Sequence, residues 1–382
     1  MQTHQRLKGF NLLYFGMLAL FIPFLPVFLQ EQGLTTKAIG FIVGTGGIVT
    51  IITQPLWGII SDKTQAIRKV LSILLLLSTW FGYFLFTSQQ FGTLVTFSMA
   101  VYFFLMAIDP LTESLNFTIA ERARISYGSI RTYGALGYAL ASLCAGYIMN
   151  GLGMNAIAYL FVGLGLLGFV VMLTLPNVTT ASSPVTVTAL KSFLQDKQTV
   201  LFLLLVFISS IPARMNDTFL GVHIRALNGN TELIGQAFFL AASSEIIIFA
   251  LSFWWLRKGK ELLTITIATS FYCLRFLATA LTTDPQLVAL LQVLQMLTFP
   301  IFYTAAIQYL YRIVPAEWRA TGQTILALLF FGISGIVASY LGGYLYSILA
   351  GQQFYLVLAS ISFIGVCFGA VLYKIFEANA ES

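Results

Sequence analysis

Of 382 residues, 9% are charged and 58% hydrophobic, and the mean hydropathy is +0.88, so most of the chain cannot form the surface of a soluble domain. Lipid is the solvent that fits such a composition. The formal net charge of +6 raises nucleic acid as a partner, but the cations are confined to one set of loops, which argues for membrane orientation instead.

A spanning helix needs about 20 apolar residues to cross roughly 30 Å of hydrocarbon. Twelve such segments are predicted, at 8–30, 38–60, 69–88, 93–118, 127–150, 155–176, 197–222, 232–256, 262–281, 286–311, 320–348 and 353–376. The first follows Arg6 and Lys8 but lacks a small-residue cleavage site before Glu31, so it is expected to stay in the mature protein. Segment 2 carries Gly40 and Gly44, and segment 11 carries Gly335, Ser339 and Gly343, at the four-residue spacing that lets helices approach closely. Segment 4 holds Asp109 and Glu113, and Arg131 lies near the start of segment 5. Each such charge costs roughly 2.5–3.5 kcal/mol at the centre of a span, so it implies a water-filled or protein-lined pathway.

After segment 6 comes NVTTASSPVTVTALKSFLQD, a Ser, Thr and Pro-rich stretch that reads as a linker. It divides the chain into bundles at 1–176 and 197–382, joined by 177–196. Prolines recur at corresponding places in the two halves, Pro23 with Pro212 and Pro110 with Pro300. Interrupted helices in matched positions point to a central binding site. The second half repeats the pattern of intramembrane charge with Arg214 and Asp217 in segment 7, Glu245 in segment 8 and Arg275 in segment 9. His223, near the end of segment 7, reads as a satisfied polar residue. Cys144, Cys273 and Cys367 lie within spans without metal spacing and read as small packing residues.

Of the twenty Lys and Arg residues, fifteen fall on the side of the N-terminus, Lys37 and Arg225 fall on the other, and Arg131, Arg214 and Arg275 lie within spans. This bias predicts cytoplasmic termini.

The loop after segment 2 reads Gly58-Ile-Ile-Ser-Asp62-Lys63-Thr-Gln-Ala-Ile-Arg68-Lys69. It resembles the signature loop of the major facilitator superfamily: a glycine, an aspartate four residues on, then a basic residue and a basic pair. Two departures are Gln65 in place of the usual glycine and one extra residue before Arg68. The resemblance implies that Gly58, Asp62, Lys63 and Arg68 serve conformational gating. Asp109-Pro-Leu-Thr-Glu113…Tyr127-Gly-Ser-Ile-Arg131-Thr-Tyr-Gly134-Ala-Leu-Gly137-Tyr138 resembles spans 4 and 5 of the branch containing the lactose and phenylpropionate permeases. By that resemblance Glu113 and Arg131 form a pair that contacts substrate, with Tyr138 as the aromatic on which a ligand ring stacks. Helical periodicity agrees, placing Arg131, Gly134 and Tyr138 on one face. Arg275, and the stretch Gln292-Val-Leu-Gln295-Met-Leu-Thr298-Phe-Pro300 in segment 10, are similar to spans 9 and 10 of the same permease. Where that permease carries titratable groups, however, this chain has Gln292, Gln295 and Thr298. A coupled proton must ride elsewhere, on Asp217 or Glu245 first and Asp109 next, with Arg214 and Arg275 as partners. Asn11, Tyr14 and Gln295 join Tyr138 as expected cavity liners because they are polar or aromatic and lie near proline-broken helices.

The expected protein is thus an all-α membrane protein with twelve transmembrane helices in the major facilitator fold, two pseudo-symmetric six-helix bundles. It is expected to be a monomer in the cell membrane that imports a small saccharide, nucleoside or aryl carboxylate with protons or another cation. The alternative is an efflux antiporter, whose span 5 typically carries a Gly-Pro pair that is missing after Gly134. No nucleophile and base pair, phosphate-binding loop, cofactor site or metal-spaced cluster is present in the sequence to suggest an enzyme.

Overall fold

The computed structural model describes residues 3–178, 196–251, 259–315, 318–349 and 351–378. Among the described residues, twelve helices are long and apolar enough to cross a membrane: α1 Thr3–Glu31, α2 Thr36–Thr64, α3 Ile67–Thr87, α4 Phe91–Ala123, α5 Tyr127–Leu152, α6 Ala156–Leu173, α7 Lys197–Ala226, α8 Thr231–Phe249, α9 Glu261–Leu281, α10 Pro285–Ile313, α11 Thr321–Ile348 and α12 Gly351–Phe376. These match the predicted segments, with polar turns added at several ends; residues 252–256 of predicted segment 8 lie outside those described. Most of the predicted linker, 179–195, lies outside the described residues, as do Lys191, Arg257 and Lys258.

Helix is the form a single apolar segment must take in lipid, because every backbone donor and acceptor then pairs within the segment. Caps fix several starts. Thr35 accepts from the Ala38 N–H at 3.3 Å, Asn230 from Leu233 at 3.0 Å and Asp284 from Gln286 at 2.9 Å. Proline breaks three spans. The first ends its initial helix at Phe21 and resumes at Phe24, just past Pro23, and α4 pauses at Met106 and Ala107 before restarting with Pro110 in its first turn. In α10 a 3-10 stretch, Leu291–Leu297, precedes Pro300. The fourth predicted break is not one, because α7 runs unbroken across Pro212. A π-helical turn at Leu328–Ile333 interrupts α11 instead.

Adding six to a span number maps the packing of one half onto the other. Spans α1 and α5, α1 and α6, and α3 and α6 pair as α7 and α11, α7 and α12, and α9 and α12 do. The contacts between halves obey the same rule, α5 lying on α8 and α2 on α11. Spans α3, α6, α9 and α12 turn large apolar side chains outward, among them Trp80, Leu166, Leu274 and Phe363, where lipid is the natural solvent. Cys144 and Cys367 are also exposed, which corrects their reading as small packing residues, whereas Cys273 is half-buried and packs against the core.

The two halves meet closely at the end opposite the termini. A Cβ on Gly146 would lie 2.8 Å from the Gly235 Cα, and one on Gly40 would lie 2.9 Å from the Gly343 Cα. Around these glycine contacts, Thr45 and Tyr340 share a hydrogen bond at 2.7 Å, Asn150 donates to Glu232 at 3.3 Å, Gln236 donates to Tyr147 at 3.0 Å, and Arg225 pairs with Glu31. Gly335, the first member of the stripe predicted in segment 11, has no such neighbour. This end is closed.

Candidate functional site

In the first half, Arg131 Nε lies 2.8 Å from Glu113 Oε1, joining α5 to α4 as expected. The Arg131 guanidinium sits 4.1 Å from the centre of the Phe15 ring on α1, where Gly134 leaves room for both. The second carboxylate oxygen of Glu113 accepts from Tyr127 Oη at 2.5 Å and from Asn116 Nδ2 at 3.3 Å. Solvent still reaches the pair, the Arg131 side chain being 38% exposed and that of Glu113 24%.

Two expected cavity liners are placed differently. Asn11 and Tyr14 are fully buried. Asn11 exchanges amide hydrogen bonds with Asn116 at 2.8 and 2.9 Å, and Tyr14 Oη donates to the Leu105 carbonyl at 3.3 Å, next to the break in α4. Their polar atoms satisfy helix contacts, so in this state they support the site from behind. Tyr138 is partly buried and faces the other half, within electrostatic range of Arg214, Asp217 and Glu245.

In the second half, Arg214 Nη2 and Asp217 Oδ2 pair at 2.8 Å, with the guanidinium 5.2 Å from the rings of both Phe330 and Phe331. The π-helical turn of α11 brings those two adjacent rings to the site, a local distortion often found at functional positions. Deeper in, Gln295 accepts from Arg275 Nη1 and donates to Glu245 Oε1 at 2.8 Å. A neutral amide therefore connects an arginine and a carboxyl group that do not touch. Arg275 is 1% exposed, lies against Tyr272 and Phe276, and has its Nε and Nη2 atoms unpartnered. Gln292 and Thr298 turn back on their own helix, bonding to Val288 O and Gln295 O. His223 is only half satisfied, since Nδ1 meets Tyr346 Oη at 3.2 Å while Nε2 has no partner.

The loop after α2 is tied to the end of α6. Gln65 has φ of 50°, a left-handed conformation that favours glycine, which accounts for the glycine usual at this position. Its side chain donates to the Asp62 carbonyl at 2.6 Å, and Asn177 donates to the Gln65 carbonyl at 2.9 Å. Arg68 reaches the Leu175 carbonyl at 3.2 Å, while Gly58 has open space beside its Cα. Lys63 lies in the last turn of α2.

Sequence reasoning missed Tyr127, Asn116, Phe15, Phe330 and Phe331. Asn116 follows Glu113 by three residues and Tyr127 precedes Arg131 by four, so helical spacing carried a signal for both. Nothing local marks the phenylalanines.

Residues 4–357 match the profile of the MFS_1 like family. The chain is 29% identical over 368 residues to the maltose permease of Geobacillus stearothermophilus, covering 95% of this chain and 92% of the permease. It is 24% identical over 376 residues to the raffinose permease of Escherichia coli, covering 92% and 88%. The crystal structure of the nucleoside transporter NupG superposes with a TM-score of 0.88 over 98% of this chain and 100% of that one, at 16% identity, a likeness of fold.

Proposed function

Since the chain belongs to the MFS_1-like family of the major facilitator superfamily, and is therefore a membrane-embedded transporter of a small molecule, we propose that it is a proton-coupled symporter importing a neutral hydroxylated solute, a saccharide or nucleoside, by alternating access. The observation that carries this reading is the pair of matched stations on the two halves. Glu113 with Arg131 beside Phe15, and Asp217 with Arg214 beside Phe330 and Phe331, each offer donors, acceptors and a ring. Both arginines already have a carboxylate partner, so an aryl carboxylate would compete with an internal anion, whereas hydroxyl groups can bridge donor and acceptor without displacing either. Tyr138 supplies a further ring between the stations.

The coupling acid is one of Asp109, Asp217 and Glu245, with Arg214 and Arg275 as electrostatic partners. The carrier works as a monomer in the cell membrane with both termini cytoplasmic, so the state with the glycine-packed end closed is open to the cytoplasm. Gly58, Asp62, Lys63 and Arg68 bias the exchange between states.

A thermal-shift screen of purified protein against maltose, raffinose, uridine and 3-phenylpropionate tests the solute class. A ligand at 100 times its Kd adds about 2.7 kcal/mol of stability. Stabilisation by a sugar or uridine is expected; stabilisation by 3-phenylpropionate alone would overturn the preference for a neutral solute.

A further inference from the structure

Among the described residues, seven carboxyl and guanidinium side chains lie in the interior of the spans: the acids Asp109, Glu113, Asp217 and Glu245, and the cations Arg131, Arg214 and Arg275. Four acids face three arginines. Each arginine is engaged, Arg131 with Glu113 and Arg214 with Asp217 directly, and Arg275 with Glu245 through Gln295. Asp109 is left over, because among the described residues no hydrogen bond or ion pair engages its carboxyl group. It stands beside the break in α4, partly buried, one turn before Glu113.

The groups around it are few. Tyr14 faces it from α1, Glu113 from its own helix, and Tyr127 and Arg131 from α5. Span α2 brings Gln54, which donates to the Met106 carbonyl at 3.1 Å, and Trp57, which packs on Phe103 and Phe104; neither titrates. Span α3 carries its charges, Arg68 and Lys69, in its first turn. A second carboxylate here would be an uncompensated intramembrane charge one helical turn from Glu113, a like-charge spacing that destabilises. Binding a proton removes both problems. Two features supply the opposite push: Asp109 lies in the first turn of the resumed helix, at the positive end of its dipole, and Arg131 is close by.

We propose that Asp109 is the acid that holds the exchangeable proton in this closed-end state, and that it releases the proton when Arg131 is freed from Glu113. The step is an acid dissociation: the Asp109 O–H bond breaks, the proton passes to water on the open side, and the carboxylate left behind takes Arg131 as counter-ion. Hydroxyl groups of a solute that bridge Glu113 and Arg131 would hold that pair together and keep the proton on Asp109 until the solute leaves on the open side, so that solute and proton travel together. The assignment deepens the proton-coupled reading and rests on it for its role in transport.

Infrared titration of the purified carrier without solute tests it through the carbonyl stretch of a protonated carboxyl group. One acid band that titrates above the range of the solvent-exposed carboxyl groups is expected in wild type, absent from Asp109→Asn, displaced but present in Asp109→Glu, and retained in Asp217→Asn and Glu245→Gln. A band that survives in Asp109→Asn, or that vanishes with Asp217→Asn or Glu245→Gln, overturns the assignment, as does a wild type with no band. The Asp109→Glu protein guards against misreading a variant that fails to fold. A second measurement separates the wider reading: vesicles loaded with wild type should alkalinise their medium when maltose, raffinose or uridine is added. If none of these moves protons while the band still follows Asp109, proton-coupled import of these solutes fails and the assignment of the protonated acid stands.

Discussion

Arg131 and Glu113 meet at 2.8 Å across the contact between α4 and α5, but Glu113 does not depend on Arg131 alone, since Tyr127 and Asn116 also donate to it. Arg131→Ala should therefore leave expression and folding largely intact while removing the cation from the cavity. The expected loss is that of a charge-assisted hydrogen bond, about 1.5–3 kcal/mol or roughly 10- to 150-fold in affinity. Titration calorimetry with whichever solute stabilises the wild type measures it. Undiminished affinity in the variant would remove Arg131 from the binding site.

Gln295 accepts from one nitrogen of an arginine whose Nε and Nη2 have no partner. Gln295→Ala should thus cost about 1.5–3 kcal/mol of stability by leaving a buried guanidinium without an acceptor. Gln295→Glu supplies an acceptor at the same place, though it loses the donor to Glu245, and should recover part of that loss. Melting temperatures in detergent compare the three proteins, and equal loss in both variants would show that packing, not acceptance from Arg275, is what Gln295 provides.

At the closed end, the Gly146 and Gly235 backbones touch with no space for a side chain. Gly146→Leu should hold α5 and α8 apart and shift the population toward the state open at that end. Reactivity of a cysteine introduced at Tyr147, beside the seam, toward a membrane-impermeant maleimide should rise several-fold in this background. Unchanged reactivity would mean that the seam tolerates the bulk by local adjustment.

Much of this was legible in the sequence. Span number and approximate limits follow from apolar run length, which lipid enforces on each segment independently of its neighbours, and the Glu113 and Arg131 contact is what the resemblance to the permease motif implies. What stayed hidden depends on tertiary context. Pro212 looks like Pro23 in sequence, yet α7 accommodates it without a break. The π-helical turn that delivers Phe330 and Phe331 has no proline or glycine signal before Gly332. Asn11 and Tyr14 have the chemistry of cavity liners, and only the packing of α1 on α5 and α6 shows that they are enclosed.

Asp196 caps α7, its carboxylate accepting from the Thr199 N–H at 2.8 Å and the Thr199 hydroxyl at 2.6 Å, and these bonds hold its pKa below the usual carboxylate value. A depressed folded-state pKa contributes stability that is present above the unfolded value and is lost as pH falls through the folded one. Asp196→Ala should cost about 0.5–2 kcal/mol at neutral pH, and the gap from wild type should shrink on acidification. Melting curves at several pH values check this; a constant gap would mean that the ionised cap contributes nothing.

Asp62 lies in the last turn of α2, beside a loop whose backbone is fixed to the segment just after α6 through Gln65, Asn177 and Arg68. The loop is remote from the ion pairs of the cavity, so a change there can alter solute affinity only by shifting the balance between states, by no more than the difference in affinity between them. Asp62→Asn should consequently slow transport several-fold while changing the Kd little. Flux in reconstituted vesicles and equilibrium binding, measured on the same preparation, separate the two quantities. Parallel losses in both would place Asp62 in the binding machinery and not in the gating of the carrier.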